Sequence, residues 1–277
     1  MGTVKKIIKK VNKKIRKPLV VEVVEKAPSN LLKNKVILVT GGGSGLGFYI
    51  AKKLYNEGSF VIITGRNEEK LKKAQEEIGS DRVVYRVFDV KDVSKMDTFM
   101  NNLFLEFGGI DCIVNNAGIS LHEKSFEDVS VDDFDSQINT NLRGSYFLTQ
   151  SFIKNYKKNK MKSASVIFIS SERSKQCDVL PYGLTKVAIN SLTEGLSRKY
   201  YKDGIRVNAV APGITASEMT GIDKNDDLYC DYNASSRFFV PEEVAETVCY
   251  LISDYSKCIS GDVIFCDAGN HLNPWFK

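Results

Sequence analysis

Short apolar runs rich in β-branched residues alternate with longer stretches of helical periodicity from residue 35 onward. Seven runs are predicted as strands: 36–40, 60–64, 83–88, 110–114, 165–170, 205–210 and 263–266. The helical stretches between them include 46–56, 68–78, 93–107 and 182–201. Apolar strands that alternate with helices are typical of a parallel sheet covered on both faces. The pattern therefore predicts an α/β fold with a doubly wound parallel sheet of about seven strands.

The 277 residues divide into an N-terminal extension and connector, 1–34, and a single α/β domain, 35–277. No apolar run approaches the roughly 18 residues that cross a bilayer, and the N-terminal region lacks the pattern of a signal peptide. None of the six cysteines forms a CxxC pair, which is typical of a protein in a reducing compartment. With two histidines in the chain, no metal site is expected. We therefore expect a cytoplasmic protein.

The first 17 residues carry the excess of positive charge. They hold eight basic side chains and no acid, and without them the formal charge of +5 becomes −3 for the other 260 residues. Nucleic acid is therefore not expected as a partner. Apolar residues recur at helical spacing opposite the lysines, at positions 4, 7, 8, 11 and 15. The arm is either a solubilising tail or a peripheral docking helix for an anionic membrane surface or a partner protein.

A glycine-rich turn, TGGGSGLG at 40–47, follows the first strand and opens the first helix. Glycines allow a tight turn and let backbone N–H groups approach a pyrophosphate at the helix N-terminus. This context predicts a dinucleotide site on a Rossmann-type fold. Arg66 follows the second strand, where an acidic residue would bind the adenosine ribose. Arg66 favours NADP over NAD because it can pair with a 2′-phosphate; alternatively, it stacks on the adenine or faces solvent.

Further motifs follow in order along the chain. DV (89–90) follows the third strand, and NNAG (115–118) closes the fourth. NLRG (141–144) comes next, and a serine (171) ends the fifth strand. The last three motifs are YGLTK (182–186), NAVAPGITAS (208–217) and GDV (261–263). With the glycine-rich turn, these motifs make the chain resemble the short-chain dehydrogenases/reductases, in their single-domain branch, from about Leu32 to Asn270. The resemblance implies an oxidoreductase that interconverts a carbonyl and an alcohol, with NADPH-dependent reduction in the cell.

The resemblance implies that four residues carry the reaction: Ser171, Tyr182, Lys186 and Asn141. Tyr182 is the expected general acid/base, and Ser171 is expected to bind the substrate oxygen. Lys186 is expected to hold the nicotinamide ribose, and Asn141 to hold a water that links Lys186 to solvent. Tyr182 and Lys186 share a helix face, and a nearby ammonium favours the phenolate of a group that normally titrates near pH 10.

The resemblance also assigns cofactor contacts to a larger set of residues at the glycine-rich turn, the strand ends and the nicotinamide segment. They are Gly41, Gly43, Ser44, Gly45, Leu46, Gly47, Arg66, Asp89, Val90, Asn116, Ala117, Gly118, Tyr182, Lys186, Pro212, Gly213, Ile214, Thr215 and Ser217. NADP is the preferred cofactor because of Arg66, and NAD is the alternative.

Two assignments stay open at this stage. The interval from Ser171 to Tyr182 is about two residues shorter than the family pattern, so either Ser170 or Ser171 faces the substrate. Either Ser217 or Thr215 meets the carboxamide of the cofactor.

A second YxxxK spacing is present from Tyr156 to Lys160. That pair follows no strand ending in serine and lies in a run of charged residues. We interpret it as a solvated helix end.

The substrate pocket is expected to be lined by residues 119–127, 172–181 and 214–240. Three cations lie in these segments: Arg173, Lys175 and Arg237. They favour an anionic substrate that bears a phosphate or a carboxylate, or else they pair with neighbouring acids.

By the same resemblance, the helices that carry Asn141 and Tyr182 are expected to form the interface of a homodimer or homotetramer. The alternative to an enzyme is a catalytically weak, cofactor-binding component that is recruited to a membrane or a partner through the basic arm.

Overall fold

Seven parallel strands form one sheet in the computed structural model, which describes residues 17–21, 29–175, 178–231 and 233–272. The strands are β1 (Val36–Thr40), β2 (Phe60–Gly65), β3 (Val83–Val87), β4 (Cys112–Asn115), β5 (Ala164–Ile169), β6 (Ile205–Pro212) and β7 (Val263–Cys266). Their spatial order is β3-β2-β1-β4-β5-β6-β7. The predicted doubly wound sheet is confirmed. Because the winding reverses between β1 and β4, a crevice forms at the carboxyl ends of these two strands.

Helices cover both faces of the sheet. One face is covered by α1 (Gly45–Asn56), α2 (Glu68–Ile78) and α7 (Pro241–Ile252), and the other by α3 (Met96–Phe107), α5 (Ser145–Lys158) and α6 (Pro181–Tyr200). The short helix α4 (Val131–Gln137) continues through a π-helical segment (Ile138–Gly144) into α5. Among the helices that the structure describes, none is both long and apolar enough to span a bilayer.

Alternating strand residues build two separate cores. In β1, Ile37 and Val39 belong to the core under α1, α2 and α7, while Leu38 belongs to the opposite one, and all three are fully buried. Leu71 and Ile78 of α2, two turns apart, face the first core. Each buried side chain of this size contributes roughly 1.5–3 kcal/mol. The period-two and period-3.6 patterns of the sequence therefore match the two faces that need covering.

The chain before β1 is partly integrated into the fold. Leu32 is fully buried in the first core, and its N–H donates to Glu57 O at 2.9 Å. This residue belongs to the folded body, although the sequence assigned it to the connector. Further upstream, Leu19 N donates to Asp227 Oδ1 (3.0 Å) and Leu228 N donates to Leu19 O (3.1 Å). The predicted amphipathic arm lies outside the described residues, apart from its last residue.

Candidate active site

A cavity of about 940 Å³ lies at the carboxyl ends of the central strands. The glycine-rich turn, the residues after β2 to β6, and the start of α6 line it. Of the predicted site residues, all except Gly47 and Asn141 line this cavity. In the described part of the chain, no three His, Cys, Asp or Glu side chains are grouped so that they could hold a metal ion.

The glycine-rich turn leaves the N-terminus of α1 open towards the cavity. Gly41 has a φ of +67°, a conformation that L-residues with a side chain rarely adopt. A Cβ on Gly47 would lie 2.2 Å from Gly41 O, so the first turn of α1 packs directly against the loop. Ser44, the N-cap residue, makes no side-chain capping bond, and the first helical turn holds no acid. These backbone N–H groups therefore fit the pyrophosphate of a dinucleotide.

A hydrogen-bonded brace joins the ends of β1 and β4. Thr40 Oγ1 accepts from Asn116 N (3.0 Å) and Ala117 N (2.9 Å), and Asn116 Nδ2 donates to Thr40 O (2.9 Å). The amide nitrogen of Asn116 therefore faces the chain's own backbone, although the residue lines the cavity. Sequence reasoning did not assign a role to Thr40; the signal that could have found it is a polar residue at the end of an otherwise apolar strand.

Two cations and two acids line the end of the cavity beside β2. Arg66 follows β2, is exposed and lines the cavity, and within the described residues its guanidinium has no hydrogen-bond or ion-pair partner. Lys70, on α2, lines the same end and forms a 2.8 Å ion pair with Glu218 on the opposite rim. Asp89 also lines the cavity, and its carboxylate accepts from Lys91 N at 2.9 Å. Sequence reasoning missed the ion pair because its partners are far apart in the chain.

Tyr182 and Lys186 lie together on the wall formed by α6. Lys186 is 5% exposed, its Nζ donates to Ile169 O at 2.8 Å, and the same atom lies 5.3 Å from the centroid of the Tyr182 ring. A Cβ on Gly118 would lie 3.7 Å from Lys186 Nζ, so the NNAG segment closes over this ammonium. The predicted pair is therefore assembled where β4 and β5 end.

The two candidate serines point in different directions. Ser170 Oγ donates to Asn190 Oδ1 at 2.6 Å, two turns along α6 from Tyr182. Ser171 Oγ accepts from Arg173 N at 3.3 Å, and its hydrogen bond with Tyr182 lowers the pKa of the phenol. The structure therefore places Ser171, and not Ser170, beside the Tyr182 hydroxyl. The alternative between Thr215 and Ser217 stays open, because both line the cavity and both hydroxyls are bonded to backbone oxygens.

Burial controls the protonation of both groups. It raises the pKa of Tyr182, against the lowering effects of the Ser171 hydrogen bond and the Arg173 guanidinium. It also lowers the pKa of Lys186 from 10.5 to about 8. The expectation that Lys186 brings the pKa of Tyr182 down is not met, since the pKa is raised and the Lys186 ammonium is bonded to a carbonyl. Without a bound cofactor, the phenol stays protonated at neutral pH.

Asn141 lies behind the cavity, in the π-helical segment. Its Oδ1 accepts from Ile119 N (2.8 Å) and its Nδ2 donates to Ile119 O (2.9 Å). Both polar ends of this 2% exposed side chain are therefore already bonded. The side chain therefore anchors the loop after β4, and the water that Asn141 is expected to hold stays a prediction.

Two of the three expected substrate-binding cations are paired with acids of the chain itself. Arg173 Nη2 donates to Asp178 Oδ1 at 2.7 Å, and Arg237 makes two bonds to Glu243, of 2.6 and 2.9 Å. Lys175 is exposed and does not line the cavity. For both arginines, the structure therefore agrees with the alternative that these cations pair with neighbouring acids. Of the segments expected to line the pocket, 119–122, 172–173 and most of 214–222 do so.

The second YxxxK pair lies away from the cavity. Tyr156 is 3% exposed, packs in the core under α3 and α5, and donates its hydroxyl to Asp203 O at 2.7 Å. The interpretation of Tyr156 as part of a solvated helix end is wrong, because the ring faces inward. Only Lys160 of the pair is exposed.

Comparison with known proteins agrees with this geometry. Residues 35–227 match the short chain dehydrogenase family. The chain belongs to this family. This chain is 34% identical over 246 residues to 3-oxoacyl-[acyl-carrier-protein] reductase of Aquifex aeolicus. The match covers 86% of this chain and 98% of that protein. It is 32% identical over 228 residues to an uncharacterized oxidoreductase of Staphylococcus aureus strain N315, covering 80% of this chain and 93% of that protein.

The solved structures give the same result. This chain superposes with a TM-score of 0.80 on the 3-ketoacyl-(acyl-carrier-protein) reductase of Brucella melitensis, which was solved in complex with NADH. The identity is 27%, and the match covers 87% of this chain and all of that one. The expected family is confirmed, and the protein is an oxidoreductase of the short-chain dehydrogenase/reductase family.

Proposed function

We propose that this short-chain dehydrogenase reduces a carbonyl compound to an alcohol with NADPH, and that Tyr182 supplies the proton. The observation that carries the proposal is the grouping of Ser171, Tyr182 and Lys186 on one wall of the cavity. The glycine-rich turn lies on the same cavity, as does the exposed guanidinium of Arg66.

The protonation states suit the direction of reduction. When bound, a nicotinamide cofactor supplies the hydride, and the protein orients the reactants. Ser171 Oγ binds the substrate oxygen as negative charge develops on it, and the Tyr182 hydroxyl donates the proton that completes the alcohol. The raised pKa of Tyr182 keeps the phenol protonated at neutral pH, ready to donate its proton. Lys186, with a pKa of about 8, exchanges protons with solvent in the same range.

The preference for NADPH rests on the adenosine end. The open N-terminus of α1 would hold the pyrophosphate, and Arg66 would pair with a 2′-phosphate. Arg66 stands at the position after β2 where an acid would select NAD, and within the described chain its charge is unpaired. The Brucella relative was solved with NADH, so NADH is the comparison cofactor in the test.

The test measures NADPH and NADH oxidation over a panel of neutral, hydroxylated and anionic carbonyl compounds. Tyr182→Phe is expected to lower kcat by roughly 100- to 10,000-fold, the range for loss of a general acid. Arg66→Ala is expected to lower kcat/KM for NADPH by about tenfold and to leave that for NADH unchanged. Turnover that survives in Tyr182→Phe, or a wild-type preference for NADH, would contradict the corresponding part of the proposal.

We also infer that the enzyme forms a homo-oligomer through α4 and α6. Val131 and Phe134 on α4 are exposed, as are Leu184 and Val187 on α6. Exposed apolar residues on neighbouring helices are typical of an interface. Light scattering is expected to give at least twice the 31.0 kDa mass of the chain, and a reduced mass in Val187→Asp. A monomeric wild type at micromolar concentration would rule the inference out.

A further inference from the structure

Glu172 lies in the substrate half of the cavity, the part beyond Tyr182 that residues 119–122, 171–173, 219, 220 and 222 line. It directly follows Ser171 and is 6% exposed. Asn270 Nδ2 donates to Glu172 Oε2 at 2.9 Å and fixes the carboxyl group. Within the described chain, no lysine or arginine forms an ion pair with this group.

The basic side chains near Glu172 are already bonded to other acids. Arg173, the next residue, is bonded to Asp178. His271 Nδ1 lies 2.9 and 2.8 Å from the two carboxylate oxygens of Asp267, and Asp267 is itself 1% exposed. Among the described residues, the substrate half of the cavity therefore contains a buried carboxyl group that no lysine or arginine neutralises.

A buried acceptor of this kind has definite requirements of its ligand. A substrate hydroxyl can donate to the carboxyl group and replace the water lost on binding, whereas a phosphate or carboxylate would place like charges together. The side chains around it add apolar surface, with Leu121, Met219 and Ile222 on the other walls. Glu172 and Tyr182 line the same cavity, so the carboxyl group faces the space into which the phenol also points.

We propose that Glu172 selects the substrate, and that the substrate is an uncharged carbonyl compound with a hydroxyl group close to the reacting carbon. The inference rests on the proposed function, because the carbonyl oxygen is taken to bind at Ser171. Ser171 and Glu172 line the same cavity, so the two side chains can contact different groups of one substrate. This assignment replaces the anionic substrate that Arg173 and Arg237 suggested.

The test uses three four-carbon members of the carbonyl panel that differ in one group. They are 3-hydroxybutan-2-one, butan-2-one and 2-oxobutanoate, each assayed with NADPH in the wild type and in Glu172→Gln. Glutamine keeps the length of the side chain and an oxygen that can accept from Asn270, but it removes the negative charge. Glu127→Gln is the matched control, because Glu127 is exposed and does not line the cavity.

The wild type is expected to favour 3-hydroxybutan-2-one over butan-2-one by roughly tenfold or more in kcat/KM, as a charged hydrogen bond to the hydroxyl requires. In Glu172→Gln, this ratio is expected to fall at least fivefold and the relative kcat/KM for 2-oxobutanoate to rise; in Glu127→Gln, neither is expected to change. An unchanged ratio in Glu172→Gln overturns the inference, as does wild-type turnover confined to anionic or hydroxyl-free compounds. If turnover remains dependent on Tyr182, the proposed function survives either result. If no carbonyl is turned over, the proposed function fails and this inference with it.

Discussion

Replacing Thr40 by valine should destabilise the fold without changing its shape. The hydroxyl of this 1% exposed residue accepts from the N–H groups of Asn116 and Ala117, and Asn116 N also donates to Val114 O at 3.1 Å. Valine has nearly the same volume, so Thr40→Val leaves the Ala117 N–H without a partner and removes one of the two acceptors of Asn116 N. A buried donor left unsatisfied costs about 1–3 kcal/mol. Because the hydroxyl also loses its bonds with Asn116 N and Val114 O, we expect a loss in the upper part of that range, about 2–3 kcal/mol.

The measurement is urea denaturation at a fixed protein concentration, with Thr40→Ser as the matched control. Serine keeps the acceptor and loses one methyl group, which costs about 1 kcal/mol. Thr40→Val is therefore expected to be less stable than Thr40→Ser and to bind NADPH more weakly, since the brace also holds the glycine-rich turn. If the two variants differ by less than about 0.5 kcal/mol, the hydroxyl does not hold the junction of β1 and β4 as described.

Lys186 should add a pH dependence to stability. Its pKa is about 8 in the folded enzyme and 10.5 ordinarily, so between these values the unfolded chain binds more protons and the free energy of unfolding rises with pH, by up to about 1.4 kcal/mol per unit. Denaturation at pH 7.5 to 10 should show this rise in the wild type relative to Lys186→Met, and parallel curves would contradict it. Gly47→Ala is expected to cost roughly 3 kcal/mol or more, because its Cβ would lie 2.2 Å from Gly41 O. Gly195→Ala on α6, where nothing lies within 4 Å, should be neutral or stabilising, and equal melting temperatures for the two variants would argue against the clash.

The sheet and the cavity lining were predictable because they depend on local signals. β-branched runs and glycine-rich turns are encoded within a few residues, and the carboxyl ends of parallel strands meet at one edge whatever the details of packing. Hence most of the predicted site residues line one cavity. The choice between Ser170 and Ser171 required the structure, because it depends on which of the two hydroxyls is bonded to Asn190 of α6.

Pairing between distant side chains was not predictable in the same way. The sequence shows Arg237 and Asn270 but not the carboxylates they meet, Glu243 and Glu172. The predicted lowering of the Tyr182 pKa was not met for a related reason. The pKa depends chiefly on burial, which is set by the whole surrounding fold, and burial outweighs the contribution expected from Lys186 one helical turn away. The sequence therefore showed which charged and polar side chains are present. Which of them pair with one another could be learned only from the folded structure.

Leu19 ties the start of the described chain to the loop after β6, the first residues of which line the cavity. Its backbone is bonded to Asp227 and Leu228, and the same loop begins with the residues that line the cavity. Thermodynamic reciprocity then applies: if substrate binds more tightly when Leu19 is attached, substrate favours that attachment by the same factor. The attachment of Leu19 and the conformation of the loop are thus linked through these two hydrogen bonds.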